Sequence, residues 1–329
     1  MEKLHSNISI IGAGTWGIAI ANHLSSKASI EVTHYREEFL DRLKKTRKHP
    51  RIPDSTISKK ISLNYSLEPK GDLLIIAVPV QYIRSVLSKM TISSSVPILI
   101  LSKGIEQKTL MFPLDIVENT IKRKGGDIAI LSGPSHAEEV LRKNPTSVVI
   151  SSKSKKFEKS LQKLLSNKYF RVYCNEDVVG VQLGGAVKNV ISVAAGVVSG
   201  LGYGENTVSA LLTRGLYELK MLGIKLGAKK ETLNGLAGLG DLMATSFSEY
   251  SRNRYVGKRI GQGDSLNVIL SDLKMNAEGV CTAMSLRELS EKMNISLPIC
   301  NKVYDILFNE ENPRNSIKDL MLRDLRNEF

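Results

Sequence analysis

Short apolar runs alternate with amphipathic segments through the first half of the 329-residue chain. The runs are rich in Ile, Val and Leu, which is typical of buried strands, and the segments between them have the spacing of helices. This alternation predicts a Rossmann-like, doubly wound α/β domain built on a parallel sheet. The predicted strands are residues 7–11, 29–34, 72–78, 97–102, 127–132, 146–151 and 169–173, and the clearest helices between them are residues 16–27, 81–90 and 155–166.

Beyond Tyr173 the strand pattern stops, and long helical patterns broken by glycines continue to Phe329. The segment 174–180 contains Asn and Asp, which favour helix N-caps, and this segment indicates a junction. We therefore predict a dinucleotide-binding domain over residues 1–175 and a mainly α-helical, substrate-binding domain over residues 176–329.

A glycine-rich turn directly follows the first predicted strand. Gly12, Gly14 and Gly17 form the pattern G-x-G-x-x-G at the start of a predicted helix. In a dinucleotide site the first glycine permits the turn, the second admits the pyrophosphate to backbone N–H groups, and the third lets helix and strand pack closely. Trp16 lies inside this turn, and we expect its indole to wall the crevice with its N–H bonded to a polar partner. The alternative for Trp16 is packing against the second domain without ligand contact.

Arg36 follows the second predicted strand, where this fold often has an acid that binds the ribose 2′-hydroxyl. A guanidinium at this position suits the 2′-phosphate of NADP. We therefore expect the chain to prefer NADPH and to tolerate NADH.

Two further strands end in residues with reactive or anion-binding chemistry. Lys103 follows the run 97–102, and Gly133, Ser135 and Ala137 follow the run 127–132. Because ligands bind at the carboxyl ends of the strands in such sheets, these residues are candidates for the substrate crevice. On this fact alone, an ordinary solvated lysine remains an alternative for Lys103.

A single lysine interrupts the apolar helical segment 180–200. Gly180, Gly184, Lys188, Ser192 and Gly196 recur every four residues, which predicts a small, open stripe on a buried helix. Burial lowers the pKa of a lysine, so Lys188 is a candidate proton donor and acceptor for a ketone and its alcohol. The alternative is an ammonium that extends out of the crevice into solvent.

The segment 234–263 contains the next candidates. Its glycines predict a loop that presents Asp241, with Thr245 one helical turn later. Ser251, Arg252 and Asn253 then begin a helix predicted to end near Gly261. A hydroxyl, a guanidinium and an amide at a helix N-terminus are typical of a phosphate site.

Composition and charge narrow the function classes. The net charge of +13 fits either scattered surface lysines or an anionic partner, such as a small phosphorylated substrate, whereas the few aromatic residues disfavour single-stranded nucleic acid. Cys174, Cys281 and Cys300 are too widely spaced for a zinc site or a disulfide framework, so we expect no metal. The sequence has no visible targeting signal and no apolar run long enough to span a bilayer, and we expect a cytoplasmic protein.

With these motifs in view, the chain resembles the bacterial NAD(P)-dependent glycerol-3-phosphate dehydrogenases along essentially its whole length. The runs GAGTWG, SKGIE, SGPSHAEE, GVQLGGAVKN, GLGDL and SRN occur in that family's order and spacing. The resemblance implies reversible reduction of dihydroxyacetone phosphate to sn-glycerol 3-phosphate for phospholipid synthesis. The chain departs from the family pattern at His136, where a phenylalanine is usual, and at Ala277, where a valine is common.

The resemblance also implies roles for individual residues. Lys188 would be the proton donor and acceptor, with Lys103 and Asp241 beside the reacting carbon. The implied substrate contacts are Lys103, Gly133, Ser135, Lys188, Asn189, Asp241, Thr245, Ser251, Arg252 and Asn253, and the implied cofactor contacts are Gly12, Gly14, Thr15, Trp16, Gly17, Arg36, Lys103, Ala137, Arg252 and Glu278.

Other functions remain open on the sequence. A related hydroxyisobutyrate or phosphogluconate dehydrogenase would also place a lysine on the helix after the Rossmann domain, but it would not account for Asp241 and the SRN run. A non-enzymatic NADPH sensor would leave Lys188 without a purpose. A homodimer is one option for the assembly of the chain.

Overall fold

The computed structural model describes residues 5–121, 126–273, 277–325 and 327–328. In this part of the chain the strands are β1 (Asn7–Ile11), β2 (Ser29–Thr33), β3 (Lys48–His49), β4 (Ile52–Thr56), β5 (Ile61–Leu63), β6 (Leu73–Ile76), β7 (Ile98–Ile100), β8 (Ile128–Ser132), β9 (Thr146–Ser152) and β10 (Phe170–Cys174). The helices are α1 (Thr15–Leu24), α2 (Glu37–Thr46), α3 (Val80–Leu87), α4 (Pro113–Ile121), α5 (Ala137–Leu141), α6 (Lys155–Leu165), α7 (Val178–Gly200), α8 (Glu205–Lys225), α9 (Lys230–Asn234), α10 (Asp241–Phe247), α11 (Arg252–Gly261), α12 (Leu266–Leu273), α13 (Glu278–Met293), α14 (Pro298–Phe308) and α15 (Pro313–Met321). A π-helical turn, Leu236–Gly240, lies directly before α10.

The N-terminal half is a doubly wound α/β layer structure, as the alternating pattern predicted. Its main sheet has the order β10-β9-β8-β7-β6-β1-β2-β5, with helices on both faces. All neighbouring strands in this sheet are parallel except β8 and β9, where Ile130 lies opposite Ser151 in antiparallel register. The predicted parallel sheet is thus confirmed, with one antiparallel pair that the sequence did not indicate. Because β9 is buried along nearly its whole length, its apolar pattern carries no information about direction.

The sequence pattern did not predict three of the strands. β3 and β4 form a separate antiparallel hairpin, and β5 extends the main sheet beside β2, with Ile61 opposite Ile30. β3 and β4 are short and mostly polar, and β5 has only three residues, so none of them contains the long apolar run that marked the other strands.

The carboxyl ends of β1, β6, β7 and β8 meet at one edge of the sheet, because these strands are mutually parallel. Gly12 follows β1, Lys103 lies shortly after β7, and Gly133 follows β8. The fold therefore brings residues that are far apart in sequence to one edge, where a doubly wound sheet has its ligand crevice.

The C-terminal half is helical and is built around α7. Asp177 caps this helix, its Oδ1 accepting a hydrogen bond from the Gly180 N–H at 2.8 Å. Within the described residues, α7 is the one helix long and apolar enough to cross a membrane, but 89% of its most apolar window is buried inside the protein. It is surrounded by apolar side chains of the helical half, which makes it a core helix.

The stripe of small residues along α7 is not open, contrary to expectation. A side chain at Gly184 would collide with the carbonyl of Ala237, and one at Gly196 would collide with the carbonyl of Arg254. The small residues instead let the π-helical turn and α11 lie directly against α7. This close approach brings the segment from Asp241 onward to Lys188.

Candidate active site

The glycine-rich turn joins β1 to α1 and presents one open position. Gly12 has φ +114°, and a Cβ there would lie 2.5 Å from the Ala77 carbonyl oxygen. A Cβ on Gly17 would collide with the carbonyl of Gly12, so these two glycines are required by packing. A Cβ on Gly14 would meet nothing within 4 Å. Gly14 thus leaves the backbone at the N-terminus of α1 accessible, as a pyrophosphate site needs.

Trp16 lies in the first turn of α1 with its indole half-buried against the core of the dinucleotide-binding half. Its Nε1 is buried and has no hydrogen-bond partner among the described residues. The expected polar partner is therefore not supplied by this part of the chain. Since an unpaired buried N–H costs about 1–3 kcal/mol, the indole donor suits a position that a ligand completes.

A second group of unpartnered polar atoms lies beside Gly104, the residue after Lys103. Glu278 Oε2 and Thr282 Oγ1 are buried without a hydrogen-bond partner in the described structure, and a Cβ on Gly104 would lie 3.2 and 3.3 Å from them. Glu278 Oε1 accepts a 3.3 Å hydrogen bond from the Val80 N–H, which links α13 to α3. Burial raises the pKa of Glu278 to about 7, although the positive charge of Arg252 acts in the opposite direction. These unsatisfied atoms fit a polar ligand such as a nicotinamide cofactor.

The remaining candidate cofactor positions lie on the dinucleotide-binding half. Arg36 is exposed at the N-cap of α2, just beyond β2, with its guanidinium carbon 5.1 Å from the centre of the Tyr35 ring. Thr15 begins α1, and Ala137 is buried at the start of α5. The exposed guanidinium of Arg36 is placed to meet an anion at the end of β2.

Asp241 bridges two lysines that come from opposite halves of the molecule. Its Oδ2 lies 2.7 Å from Lys103 Nζ, and its Oδ1 lies 2.9 Å from Lys188 Nζ. Lys103 Nζ also donates to the Gly133 carbonyl at 3.0 Å. The side chains of Lys103 and Lys188 are 16% and 9% exposed, so neither lysine extends into bulk solvent.

The protonation of this group is set by burial and by mutual charge. Burial lowers the pKa of Lys188 to about 8, with Asp241 opposing the shift and the positive charges of Lys103 and Arg252 adding to it. Burial also opposes ionisation of Asp241, but the two lysines outweigh it and hold the pKa of this carboxyl below its ordinary value. Burial thus lowers the pKa of Lys188 toward the range in which a general acid–base group works.

Thr245 completes the surroundings of Lys188. Lys188 Nζ donates to Thr245 Oγ1 at 2.6 Å, and Thr245 Oγ1 in turn donates to Asp241 Oδ1 at 3.3 Å. Thr245 lies one turn after Asp241 on α10, as the spacing indicated. The expected loop at Asp241 is wrong, however, because the preceding glycines form a π-helical turn and Asp241 is the first residue of α10.

The SRN run lies at the N-terminus of α11, which ends at Gly261 as expected. Ser251 is the N-cap, and its Oγ accepts a hydrogen bond from the Arg254 N–H at 3.2 Å. Arg252 is exposed, and its charge influences both Lys188 and Glu278. The amide of Asn253 donates to Asn189 Oδ1 at 2.9 Å and accepts from the Gly279 N–H at 2.9 Å. Asn253 is buried and therefore ties α11 to α7 and α13.

Residues after β8 border the same site. Ser135 Oγ donates to the Gly133 carbonyl at 2.9 Å, so this carbonyl accepts from both Ser135 and Lys103. Ser132 Oγ is buried and lacks a partner within the described ranges. A Cβ on Gly185 would lie 2.8 Å from Ser132 Oγ and 3.3 Å from the aliphatic stem of Lys103. Gly185 therefore provides the space through which Lys103 reaches Asp241.

Comparison with known proteins identifies the family. The model for the N-terminus of NAD-dependent glycerol-3-phosphate dehydrogenase matches residues 7–158, and the model for its C-terminus matches residues 177–318. A relative from Agathobacter rectalis, named NAD(P)+ glycerol-3-phosphate dehydrogenase, is 40% identical over 326 residues, covering 97% of this chain and 96% of its own length. The chain belongs to the NAD-dependent glycerol-3-phosphate dehydrogenase family.

Further relatives agree with this assignment. A protein of the same name from Geobacter metallireducens is 41% identical over 326 residues, covering 96% of this chain and 97% of its own length. The crystal structure of glycerol-3-phosphate dehydrogenase from Coxiella burnetii has a TM-score of 0.92 and 30% identity, covering 98% of this chain and all of that one. This chain therefore has the domain order of the family and shares the fold of the Coxiella burnetii protein over nearly its whole length.

Sequence reasoning missed three residues that shape this site. Two of them had a signal in the sequence. Gly185 directly follows Gly184 on the predicted buried helix, and Thr282 lies one helical turn after Glu278. Ser132 carried no signal beyond its place at the end of a strand. No group of three or more His, Cys, Asp or Glu side chains suited to a metal occurs in the described ranges, and the three cysteines are free.

Proposed function

We propose that this chain catalyses the reversible reduction of dihydroxyacetone phosphate to sn-glycerol 3-phosphate with NADPH or NADH. The product would supply the glycerol backbone of phospholipids. Membership of the family supports this assignment, and the single observation that carries it is the buried arrangement of Lys188, Asp241 and Lys103. A buried amine with a pKa of about 8 has the chemistry that interconversion of a ketone and an alcohol requires.

Lys188 is the proton donor in the reduction. Its ammonium transfers a proton to the alkoxide oxygen that develops at C2 of the substrate, and in the oxidation its amine accepts the hydroxyl proton from the same atom. Asp241 holds Lys188 Nζ in place from 2.9 Å, and the Thr245 hydroxyl fixes it from 2.6 Å. Lys103 adds a positive charge beside the developing alkoxide. A bound nicotinamide cofactor supplies or accepts the hydride.

The substrate phosphate binds at the N-terminus of α11. Arg252 provides the exposed guanidinium, Ser251 the hydroxyl and Asn253 the amide, and the helix dipole favours an anion at this end. Asn189, Gly133 and Ser135 border the rest of the substrate. The positive charge of Arg252 disfavours the protonated form of Lys188, so binding of a phosphate dianion there would raise the pKa of the lysine and favour its role as an acid.

The cofactor is held by the glycine turn and by residues of both halves. Gly12, Gly14 and Gly17 shape the pyrophosphate position, with Thr15 and Trp16 at the start of α1. Arg36 binds the adenosine ribose or its 2′-phosphate. The remaining contacts in this proposal are Lys103, Ala137, Arg252 and Glu278.

The protein works in the cytoplasm, and we propose a homodimer as its assembly. The apolar α7 is buried as a core helix, which supports a protein that does not span a membrane. Neither nucleic acid nor a metal ion has a part in this proposal.

A substrate panel tests the proposed function. Oxidation of NADPH is measured with dihydroxyacetone phosphate, and reduction of NADP+ is measured with sn-glycerol 3-phosphate, 3-hydroxyisobutyrate and 6-phosphogluconate. We expect turnover only with the first two compounds. Turnover with either hydroxyacid, 3-hydroxyisobutyrate or 6-phosphogluconate, would assign the chain to a related dehydrogenase reaction. Tight NADPH binding without turnover of any of the compounds would favour a sensor.

A further inference from the structure

His136 occupies a contact position between the two halves of the molecule. It lies between Ser135 and Ala137 at the N-cap of α5. Its Nε2 is 3.2 Å from the carbonyl oxygen of Ala244 on α10, and its ring centre is 6.1 Å from that of Tyr250 at a tilt of 54°. A carbonyl accepts hydrogen bonds only, so this geometry assigns the ring proton to Nε2. The imidazole thus donates to the helical half from the dinucleotide-binding half.

The other end of α5 contacts the same segment. Arg142 is the C-cap of α5, and one guanidinium nitrogen donates to the Tyr250 hydroxyl at 2.9 Å. The guanidinium carbon also lies 5.9 Å from the centre of the Tyr250 ring. The short helix α5 therefore contacts the segment 244–250 through His136 at its start and Arg142 at its end.

The contacted segment positions the substrate groups. Thr245, which accepts from Lys188, directly follows Ala244, and Ser251, which begins the proposed phosphate site, directly follows Tyr250. A displacement of Ala244 or Tyr250 is transmitted through a single peptide unit to these residues. The two ends of the segment are thus tied to α5 immediately beside the groups that contact the substrate.

We propose that His136, Arg142 and Tyr250 form an interdomain latch that positions the phosphate-binding end of α11, and that His136 is a positioning residue for the phosphorylated substrate. This inference rests on the proposed function. A phenylalanine at position 136 keeps an aromatic ring beside Tyr250 but cannot donate to the Ala244 carbonyl. The imidazole therefore adds a directional contact to the packing.

The test compares His136→Phe, His136→Gln and Tyr250→Phe with the parent enzyme. Loss of the neutral hydrogen bond of His136, about 0.5–1.5 kcal/mol, corresponds to a rise of about 2- to 10-fold in the KM for dihydroxyacetone phosphate. The hydrogen bond from Arg142 to Tyr250 has a charged donor, but it is exposed to solvent, so we expect its loss to fall in the same range. We expect this rise in His136→Phe and Tyr250→Phe, with the KM for NADPH and kcat within about twofold of the parent. His136→Gln, whose amide can donate to the carbonyl, should recover part of the loss.

Two matched controls exist in the chain. His5 also bonds a backbone carbonyl, that of Asp72 at 3.0 Å, and its ring lies 6.1 Å from Phe157. Tyr173 is 44% exposed, close to the 42% of Tyr250, and has the guanidinium of Arg171 5.0 Å from its ring. His5→Phe and Tyr173→Phe should leave every kinetic constant unchanged.

The outcomes separate the latch from the proposed function. Unchanged KM values in both His136→Phe and Tyr250→Phe would overturn the latch while the parent still reduces dihydroxyacetone phosphate. Two other results would also overturn the latch, because each indicates a general structural role. One is an equal rise in the KM for the substrate and for NADPH, and the other is a lower melting temperature with unchanged KM values. If the parent does not reduce dihydroxyacetone phosphate, the proposed function itself fails.

Discussion

The role of Lys188 predicts a specific pH dependence of turnover. Burial lowers its pKa to about 8. Reduction requires the ammonium and oxidation the amine. We therefore expect kcat/KM for reduction to fall about tenfold per pH unit above pH 8, and kcat/KM for oxidation to fall about tenfold per unit below it.

Replacing Lys188 with Met removes the titrating group but keeps much of its volume. Positioned acid–base catalysis contributes about 10²- to 10⁴-fold, and we expect turnover to fall by this factor. The variant should still fold, because Asp241 keeps its 2.7 Å ion pair with Lys103. NADPH should still bind, which quenching of Trp16 fluorescence measures, since this is the chain's single tryptophan.

The assay is the change in absorbance of the reduced nicotinamide, followed in both directions from pH 6 to 10 (roughly two units either side of the pKa). Turnover of Lys188→Met within a few-fold of the parent would refute the role of the lysine. A pH midpoint near 8 that persists in Lys188→Met would refute its assignment to this side chain.

Three other properties are predicted from single positions. Arg36→Asp should raise the KM for NADPH by about 10- to 100-fold, as expected for the loss of a charged hydrogen bond, and should leave the KM for NADH nearly unchanged. A strong preference of the parent enzyme for NADH would contradict this prediction. Gly14→Ala should weaken NADPH binding without lowering the melting temperature. Gly12→Ala should lower the melting temperature, because the added Cβ would lie 2.5 Å from a carbonyl oxygen. Equal melting temperatures for the two variants would argue against this packing. Glu218 accepts hydrogen bonds from the N–H groups of Ile299 and Cys300, and burial raises its pKa to about 7. Because the pKa of Glu218 is higher in the folded than in the unfolded chain, protonation of this carboxyl stabilises the folded state. This stabilisation is fully present below about pH 4.5 and is lost as the pH rises toward 7. Glu218→Gln should remove this pH dependence, and parallel stability curves for parent and variant would contradict it.

The amount of the fold that the sequence predicts depends on how buried each element is. The central strands were located because each is a nearly continuous apolar run, as in β6, where every residue is buried. The hairpin of β3 and β4 was missed because its residues are mainly exposed and polar. The direction of β9 could not be predicted, since a strand buried on both faces has the same pattern in either orientation.

The candidate site was predicted as separate motifs rather than as an arrangement. Lys188 stood out because a lone lysine on an apolar helix requires a partner, but the pattern did not name Asp241 and Thr245 as its neighbours. The glycines before Asp241 suggested a loop, whereas they allow a π-helical turn to pack closely, since a side chain at Gly238 would collide with the carbonyl of Leu233. His136 gave no sign of its contact with Ala244, which depends on how the two halves pack.

The decisive measurement is the rate of NADPH oxidation by the purified protein with dihydroxyacetone phosphate, compared with the rate with dihydroxyacetone, which lacks the phosphate. We predict saturable oxidation that yields sn-glycerol 3-phosphate, with kcat/KM about 10- to 100-fold higher for the phosphorylated ketone, since a charged hydrogen bond contributes about 1.5–3 kcal/mol. Equal rates with both ketones would contradict the phosphate site at α11, and oxidation no faster than without substrate would contradict the proposed reaction.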